Sequence, residues 1–255
     1  MILVLSGTAD GRAVIKELVK KGYKVLATAA TSYGGQLLSQ SGAKEIIARP
    51  LDQKALVEVI AQKGIKVIID ITHPYAEAVS QLAFSTCLEN ALPYIRYERP
   101  EFLLPEHPLI IHSDNYLEAA EKSVLLGETI FLTTGSKTLD VFTESALKKG
   151  RRVVARVLPH PQIIKRCIDQ GLTPRDIIAM QGPFTKELNI AMLRQFQASV
   201  LVTKNSGTVG GLDTKIAAAM ELKIPIVIVN RPKPLPSMTV STVNDLFREL
   251  EKMHI

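Results

Sequence analysis

Residues 2–12, Ile2-Leu3-Val4-Leu5-Ser6-Gly7-Thr8-Ala9-Asp10-Gly11-Arg12, decide the fold. The aliphatic run has no polar residue in alternation, so the strand it predicts over 2–6 is buried on both faces, as in a parallel sheet covered by helices. A glycine-bearing turn follows, and residues 10–21 then carry a helical period. The same unit recurs outward from this start. Strands are predicted at 24–28, 45–48, 66–71 and 93–96, with helices at 33–41, 53–63 and 76–90. Gly22, Gly42 and Gly64 each fall between a helical stretch and a strand, where a left-handed residue ends a helix at little cost. The predicted fold class is α/β, a doubly wound parallel sheet.

Periodicity fails in Glu98-Arg99-Pro100-Glu101-Phe102-Leu103-Leu104-Pro105-Glu106-His107, where prolines mark an extended connection. Beyond it the alternation restarts, with strands predicted at 129–133, 152–157, 177–180, 200–203 and 226–229. Helices fit at 114–126, 138–149, 160–170, 185–197, 213–222 and 241–253. The expected organisation is two Rossmann-like domains, 1–105 and 106–255, with a cleft between them. The halves share no sequence repeat, so any symmetry is architectural.

Composition removes several classes of function. The chain has 255 residues, 46% hydrophobic and 22% charged, and its apolar runs stop far short of the ~18 residues of a membrane span. The N-terminal apolar run has no basic segment before it and leads into a turn rather than a cleavage site, so a cytoplasmic protein is expected. Cys87 and Cys167 fit neither a disulfide framework nor metal-ligand spacing; no metal site is expected and both thiols are read as reduced. The formal charge of +6 comes from scattered basic pairs, without Trp and with 5% aromatics, which argues against nucleic acid. An acidic small molecule fits that charge.

Ligands of an open parallel sheet bind beyond the carboxyl ends of its strands, where strand order reverses. The first strand runs into Gly7, Thr8, Asp10 and Arg12, and the fourth into Thr72-His73-Pro74-Tyr75-Ala76. A glycine turn heading a helix offers N–H groups to a phosphate, with Arg12 as added charge, although the GxGxxG fingerprint is not met. Asp10 as a simple helix cap and Gly7 as a simple turn is the competing reading. The second strand ends Ala27-Thr28-Ala29-Ala30-Thr31 with no carboxylate for a ribose diol, which favours NADPH over NADH, although no arginine replaces the carboxylate. His73 is placed to bind or to deliver a proton, and Tyr75 either packs or covers a flat ligand. In the second half, Thr134-Gly135-Ser136-Lys137 and Lys204-Asn205-Ser206-Gly207 follow strands, neither being a P-loop. Arg156, Lys204 and Lys215 are candidates for binding ligand carboxylates, against the alternative of solvated surface charges. The sequence contains no GxSxG, HExxH or YxxxK, so no nucleophile of those kinds is available.

Taken in order, GTADGR, DITHPYA, LTTGSK, RVLP, QGPF and TKNSGTVGG followed by Lys215 resemble the precorrin-6A reductase family of corrin biosynthesis, including its cobalt-precorrin-6A branch. The resemblance runs from Gly7 to about Arg231. It implies two Rossmann-like domains and hydride transfer from NADPH, or NADH, to a double bond of an acidic tetrapyrrole. On that resemblance Gly7, Thr8, Asp10, Arg12, Thr28, Thr31, His73, Tyr75 and Ala76 are expected at the cofactor, His73 being also the candidate catalytic acid. Thr134, Gly135, Ser136, Arg156, Lys204, Ser206, Gly207 and Lys215 are expected at the substrate. Reduction of a conjugated macrocycle needs an oriented donor and a proton, which accounts for the missing nucleophile. The rival readings are a non-redox two-domain tetrapyrrole enzyme of the uroporphyrinogen-III synthase type and a nucleotide-binding regulatory module.

Overall fold

The computed structural model describes residues 1–255 and divides into two compact units, Met1–Pro100 with Pro232–Ile255, and Glu101–Arg231. In the first unit β1 (Ile2–Leu5), α1 (Ala9–Lys20), β2 (Val25–Thr28), α2 (Ser32–Ser39), β3 (Glu45–Ile47), α3 (Gln53–Lys63), β4 (Val67–Asp70), α4 (Glu77–Glu89) and β5 (Tyr94–Tyr97) alternate as the hydrophobic pattern predicts. The second unit contains β6 (Ile110–Ser113), α5 (Tyr116–Leu126), β7 (Thr129–Leu132), α6 (Leu139–Lys148), β8 (Arg152–Val157), α7 (Pro161–Asp169), β9 (Ile177–Ala179), α8 (Lys186–Gln195), β10 (Val200–Lys204), α9 (Leu212–Leu222) and β11 (Ile226–Val229). The chain then returns to the first unit as β12 (Met238–Val240) and α10 (Val243–Lys252).

Each unit holds one six-stranded sheet, ordered β12-β5-β4-β1-β2-β3 and β6-β11-β10-β7-β8-β9, with every pairing parallel. Strand order reverses between β1 and β4 in one and between β7 and β10 in the other. Both are therefore doubly wound parallel sheets. They differ in the source of the outermost strand beside the fifth, which is the last strand of the chain in the first sheet and the first strand of its unit in the second.

This arrangement corrects the expectation that residues 106–255 form one domain. The chain crosses between units beside Pro100 and again beside Pro232, and the tail belongs with the first sheet. The physical reason is the apolar face of α10. Leu246 and Leu250 are fully buried with Val240 in the same core as Ile2, Val4, Val14 and Leu18, and Tyr23 stacks on Phe247 with ring centroids 6.1 Å apart. Full burial of a leucine contributes about 1.5–3 kcal/mol, so the tail is well anchored. The opposite face of that sheet packs Leu3, Leu26 and Ile68 against Leu56 of α3 and Ala83 of α4. Two strands lay outside the predicted set, β6 and β12. The first follows a run of prolines, and the second is a three-residue edge strand with two exposed residues, so neither carries the buried aliphatic signature of its neighbours.

Candidate functional site

At the switch point of the first sheet the loops after β1 and β4 are tied together. Thr8 caps α1, its Oγ1 accepting from Gly11 N at 3.1 Å and donating to Ile71 O at 3.2 Å. The Thr8 hydroxyl is thus committed to the scaffold, a narrower role than the ligand contact expected from sequence. Gly11 has no room for a side chain, because a Cβ there would collide with Ser6 Oγ, whereas the space beside Gly7 is open. Ser6 Oγ itself is buried without a partner. Gly7 is exposed and Arg12 half-buried, with Arg12 Nη1 donating to Thr8 O at 3.4 Å. Asp10 pairs with Arg99 at 3.0 Å, which fastens the head of α1 to the segment after β5. Asp10 is thereby occupied by a partner that the sequence reading did not single out.

Thr28 is buried at the end of β2, and Thr31 caps α2 by accepting from Gly34 N at 3.0 Å. Arg49 stands two residues past Ile47, which pairs with Thr28 across the β2–β3 register, and its side chain is exposed. An arginine, which the β2 loop itself lacks, therefore stands just past the end of the neighbouring strand β3. Strand order, which the sequence does not display, is what reveals it.

His73 and Tyr75 are half-buried, their rings 5.6 Å apart. Tyr75 N donates to His73 Nδ1 at 3.3 Å, so the neutral imidazole carries its hydrogen on Nε2. Ala76 N donates to His73 O at 2.8 Å, and Ala76 precedes α4 as an N-cap that makes no side-chain hydrogen bond. Beneath this turn lies a buried network missed by motif reading. Arg96 on β5 pairs with the fully buried Asp70 on β4 at 2.9 Å and donates to Thr72 O and Thr72 Oγ1, each at 3.1 Å. Tyr94 Oη donates to Asp70 Oδ2 at 2.7 Å, and burial, followed by the Asp70 charge, raises the phenol above its usual range. The available signal was an Asp closing the aliphatic strand β4 and an Arg within the short strand β5, positions that burial tolerates only when the charges are paired. Asp10, Thr72, Pro74, Arg96, Tyr97 and Arg99 line a narrow cleft here.

In the second unit the loops after β7 and β10 occupy the equivalent switch point. Thr134 is buried, its hydroxyl 3.2 Å from that of Thr138. Gly135 and Gly207 have φ of +93° and +73°, a backbone region that side chains disfavour, and each precedes a short 3₁₀ turn, Ser136–Thr138 and Thr208–Gly210. Ser206 is buried, and a Cβ on Gly210 would collide with its hydroxyl. Arg156 projects from β8 onto Asn189 Oδ1 at 2.7 Å and lies over the Phe184 ring, 4.3 Å from its centroid. Lys215 on α9 is buried and donates to Gly210 O at 2.9 Å. Burial lowers Arg156 to about 10. Burial and then Lys137 lower Lys204 to about 8. Burial, Arg156 and Lys204 together lower Lys215 to about 7 against the opposing pull of Asp213. The predicted residues thus form two sets, Gly7, Thr8, Asp10, Arg12, Thr28, Thr31, His73, Tyr75 and Ala76 in the first unit and the other eight in the second.

Two doubly wound sheets, each with a glycine-bearing loop at its switch point, define a Rossmann-type α/β enzyme. A family model described as Precorrin-6x reductase CbiJ/CobK matches residues 1–251, and the chain belongs to that family, the reductases of cobalamin biosynthesis. It is 41% identical over 251 residues to a protein named Cobalt-precorrin-6A reductase from Priestia megaterium, covering 98% of this chain and 96% of the relative. A protein of the same name from Methanothermobacter thermautotrophicus is 38% identical over 236 residues, covering 91% of this chain and 76% of the relative. The solved structure of CobK precorrin-6A reductase superposes with a TM-score of 0.80 at 21% identity, covering 99% of this chain and 96% of that one, which shows the shared fold.

Proposed function

We propose that the chain reduces a ring double bond of cobalt-precorrin-6A, giving cobalt-precorrin-6B, with NADPH as donor, the first unit holding the dinucleotide and the second contacting the acidic tetrapyrrole. The observation that carries this reading is the joined pair of loops after β1 and β4, linked by Thr8 Oγ1 and Ile71 O at the switch point. The residues there fit a dinucleotide. The space beside Gly7 is open, Ser6 Oγ is buried and unpartnered, and the leading N–H groups of α1 have no helical acceptor. Gly7, the backbone N–H of Thr8 and Arg12 would hold the pyrophosphate, and Thr28, Thr31 and Arg49 the adenosine ribose with its 2′-phosphate. When bound, the reduced nicotinamide supplies the hydride.

The chain's own part is orientation, exclusion of water and a proton. The Asp70–Arg96 pair fixes Thr72 and hence the His73 turn beside the cofactor loop. His73, with hydrogen on Nε2, is the candidate acid for the second carbon of the reduced bond. Tyr75 and the uncapped start of α4 complete that wall. Arg156, Lys204 and Lys215 meet the substrate's carboxylates, while Thr134, Gly135, Ser136, Ser206 and Gly207 offer hydroxyls and backbone N–H groups. The cobalt form is preferred because relatives at 41% and 38% identity are named for it, whereas one named Precorrin-6A reductase is 29% identical. We place the reaction in the cytoplasm, where the buried free thiols Cys87 and Cys167 stay reduced.

The test is loss of reduced-nicotinamide absorbance under anaerobic conditions, with NADPH or NADH and with precorrin-6A carrying or lacking cobalt. The expected result is oxidation that depends on the macrocycle and is fastest with NADPH and the cobalt form. Macrocycle binding without oxidation in any mixture would refute this proposal in favour of a non-redox tetrapyrrole enzyme.

A further inference from the structure

Two residues of the first crossing are tied, one each, to the loops read as holding the two ligands. Glu98 still belongs to the first sheet, its N–H donating to Val240 O at 2.9 Å. Phe102 and Leu104 already pack against the core of the second unit. Between them, Arg99 pairs with Asp10 at 3.0 Å, and Asp10 stands in the first turn of α1. Glu101 accepts from Asn205 Nδ2 at 2.9 Å, and Asn205 lies between Lys204 and Ser206 at the end of β10. The single residue separating Arg99 from Glu101 is Pro100. Proline fixes its own φ near about −65° and keeps the residue before it out of the helical region, so these three residues make a stiff link.

Asn205 holds the second crossing as well. It is 2% exposed, its N–H donates to Val229 O at 3.0 Å, and its O accepts from Arg231 Nε at 3.1 Å, just before the chain returns at Pro232. Ser206 N donates to Lys204 O at 2.7 Å, which folds a three-residue turn centred on Asn205. A ligand that fixes Ser206 or Gly207 therefore acts on the amide that Glu101 holds. At the other end, an anion at the head of α1 lies beside the Asp10 carboxylate, and both attract the Arg99 guanidinium.

We propose that Arg99 and Glu101 are positioning residues of a link that couples the two ligands, so that the dinucleotide at the α1 loop tightens the binding of the tetrapyrrole at the β10 loop. By linkage the tetrapyrrole tightens the dinucleotide by the same factor. This rests on the reading of the first unit as the cofactor side and the second as the substrate side, and adds to it a dependence of one on the other. Arg99 and Glu101 act through Asp10 and Asn205, the residues they hold. The coupling is positive because the first ligand to bind fixes the link and leaves the second with less chain to order.

The experiment is anaerobic titration calorimetry of the full chain with cobalt-precorrin-6A, without and with saturating NADP⁺, which has no hydride to give and leaves the ternary complex unreacted. Wild type is expected to bind the tetrapyrrole about fivefold or more tightly when NADP⁺ is present. Glu101→Ala, at an exposed position, should bind each ligand alone within about twofold of wild type while the coupling factor falls to about one. Glu101→Gln, which keeps an acceptor for Asn205 Nδ2, should retain the coupling. Since the link acts as one element, Arg99→Ala combined with Glu101→Ala should lose no more coupling than Glu101→Ala alone. A wild-type factor of one, a full factor kept in Glu101→Ala, or equal loss in Glu101→Ala and Glu101→Gln overturns the proposal. Failure of the underlying reading would show differently, as absence of both tetrapyrrole binding and turnover in wild type.

Discussion

Replacing Lys215 by methionine should stabilise the protein, and by more in acid than in base. The folded environment lowers this lysine from 10.5 to about 7 through burial first and then Arg156 and Lys204. Between those values the unfolded chain holds a proton that the folded chain lacks, so stability rises with pH across that window. Below about pH 7 both states are charged and the full penalty applies, roughly 5 kcal/mol for a shift of about three and a half units at 1.36 kcal/mol each. At about pH 9 only about one and a half units remain to be crossed, which leaves roughly 2 kcal/mol. Methionine removes the charge in both states, so its advantage over lysine should be about 2–3 kcal/mol larger at pH 6 than at pH 9. Packing differences between the two side chains are the same at both pH values and drop out of that comparison. Urea unfolding followed by far-ultraviolet circular dichroism at the two pH values, with wild type and Lys215→Met in parallel, measures it. Equal effects at both pH values would show that Lys215 is not held short of its ordinary basicity and would refute the reasoning.

Other consequences can be checked singly. Asp70→Asn leaves the buried Arg96 with only Glu98, at 3.8 Å, as a charge partner and should cost about 3 kcal/mol in urea unfolding. Arg49→Glu should weaken NADPH far more than NADH in steady-state assays, and equal weakening would place Arg49 away from the 2′-phosphate. His73→Ala should lower kcat by about 10²-fold or more while the apparent constant for NADPH changes little, as loss of a proton donor requires. Leu246→Ala, which opens a cavity beneath α1, should cost about 2–5 kcal/mol and show as earlier melting of the first sheet.

How far the sequence reached depended on whether a signal was local. Most of the strands from β1 to β5 and from β7 to β11 are short aliphatic runs buried on both faces, β3 and β9 being half-buried and β5 carrying Arg96 between aromatics, and all their boundaries lie within a residue or two of the predicted ones. The helix at α10 was equally visible, because its apolar stripe is a local property. Its allegiance was not visible, because that depends on which sheet has an open edge for β12 and which helix offers Leu18 and Val14 to Leu246. The same distinction separates the site residues that were found from those that were missed. Gly7, His73, Gly135 and Gly207 stand in unusual loops and announce themselves in one dimension. Asp70 and Arg96 are 26 positions apart on adjacent strands and Arg99 meets Asp10 across 89, so their pairing exists only after β4 and β5 are laid together beside β1.

That contrast bears on which charged residues to read as structural and which as functional. Asp70 and Arg96 are buried but answer one another, and the Tyr94 hydroxyl and Thr72 amide satisfy what remains of the carboxylate. A paired, hydrogen-bonded charge holds a turn in place and needs nothing from outside the chain. Arg156 and Lys215 are as deeply buried and answer only to neutral groups. The same fold thus supplies a carboxylate to one buried arginine and a neutral amide to another, and the proposed reading of the second sheet's switch point as the place where an acidic substrate is met stands on that difference.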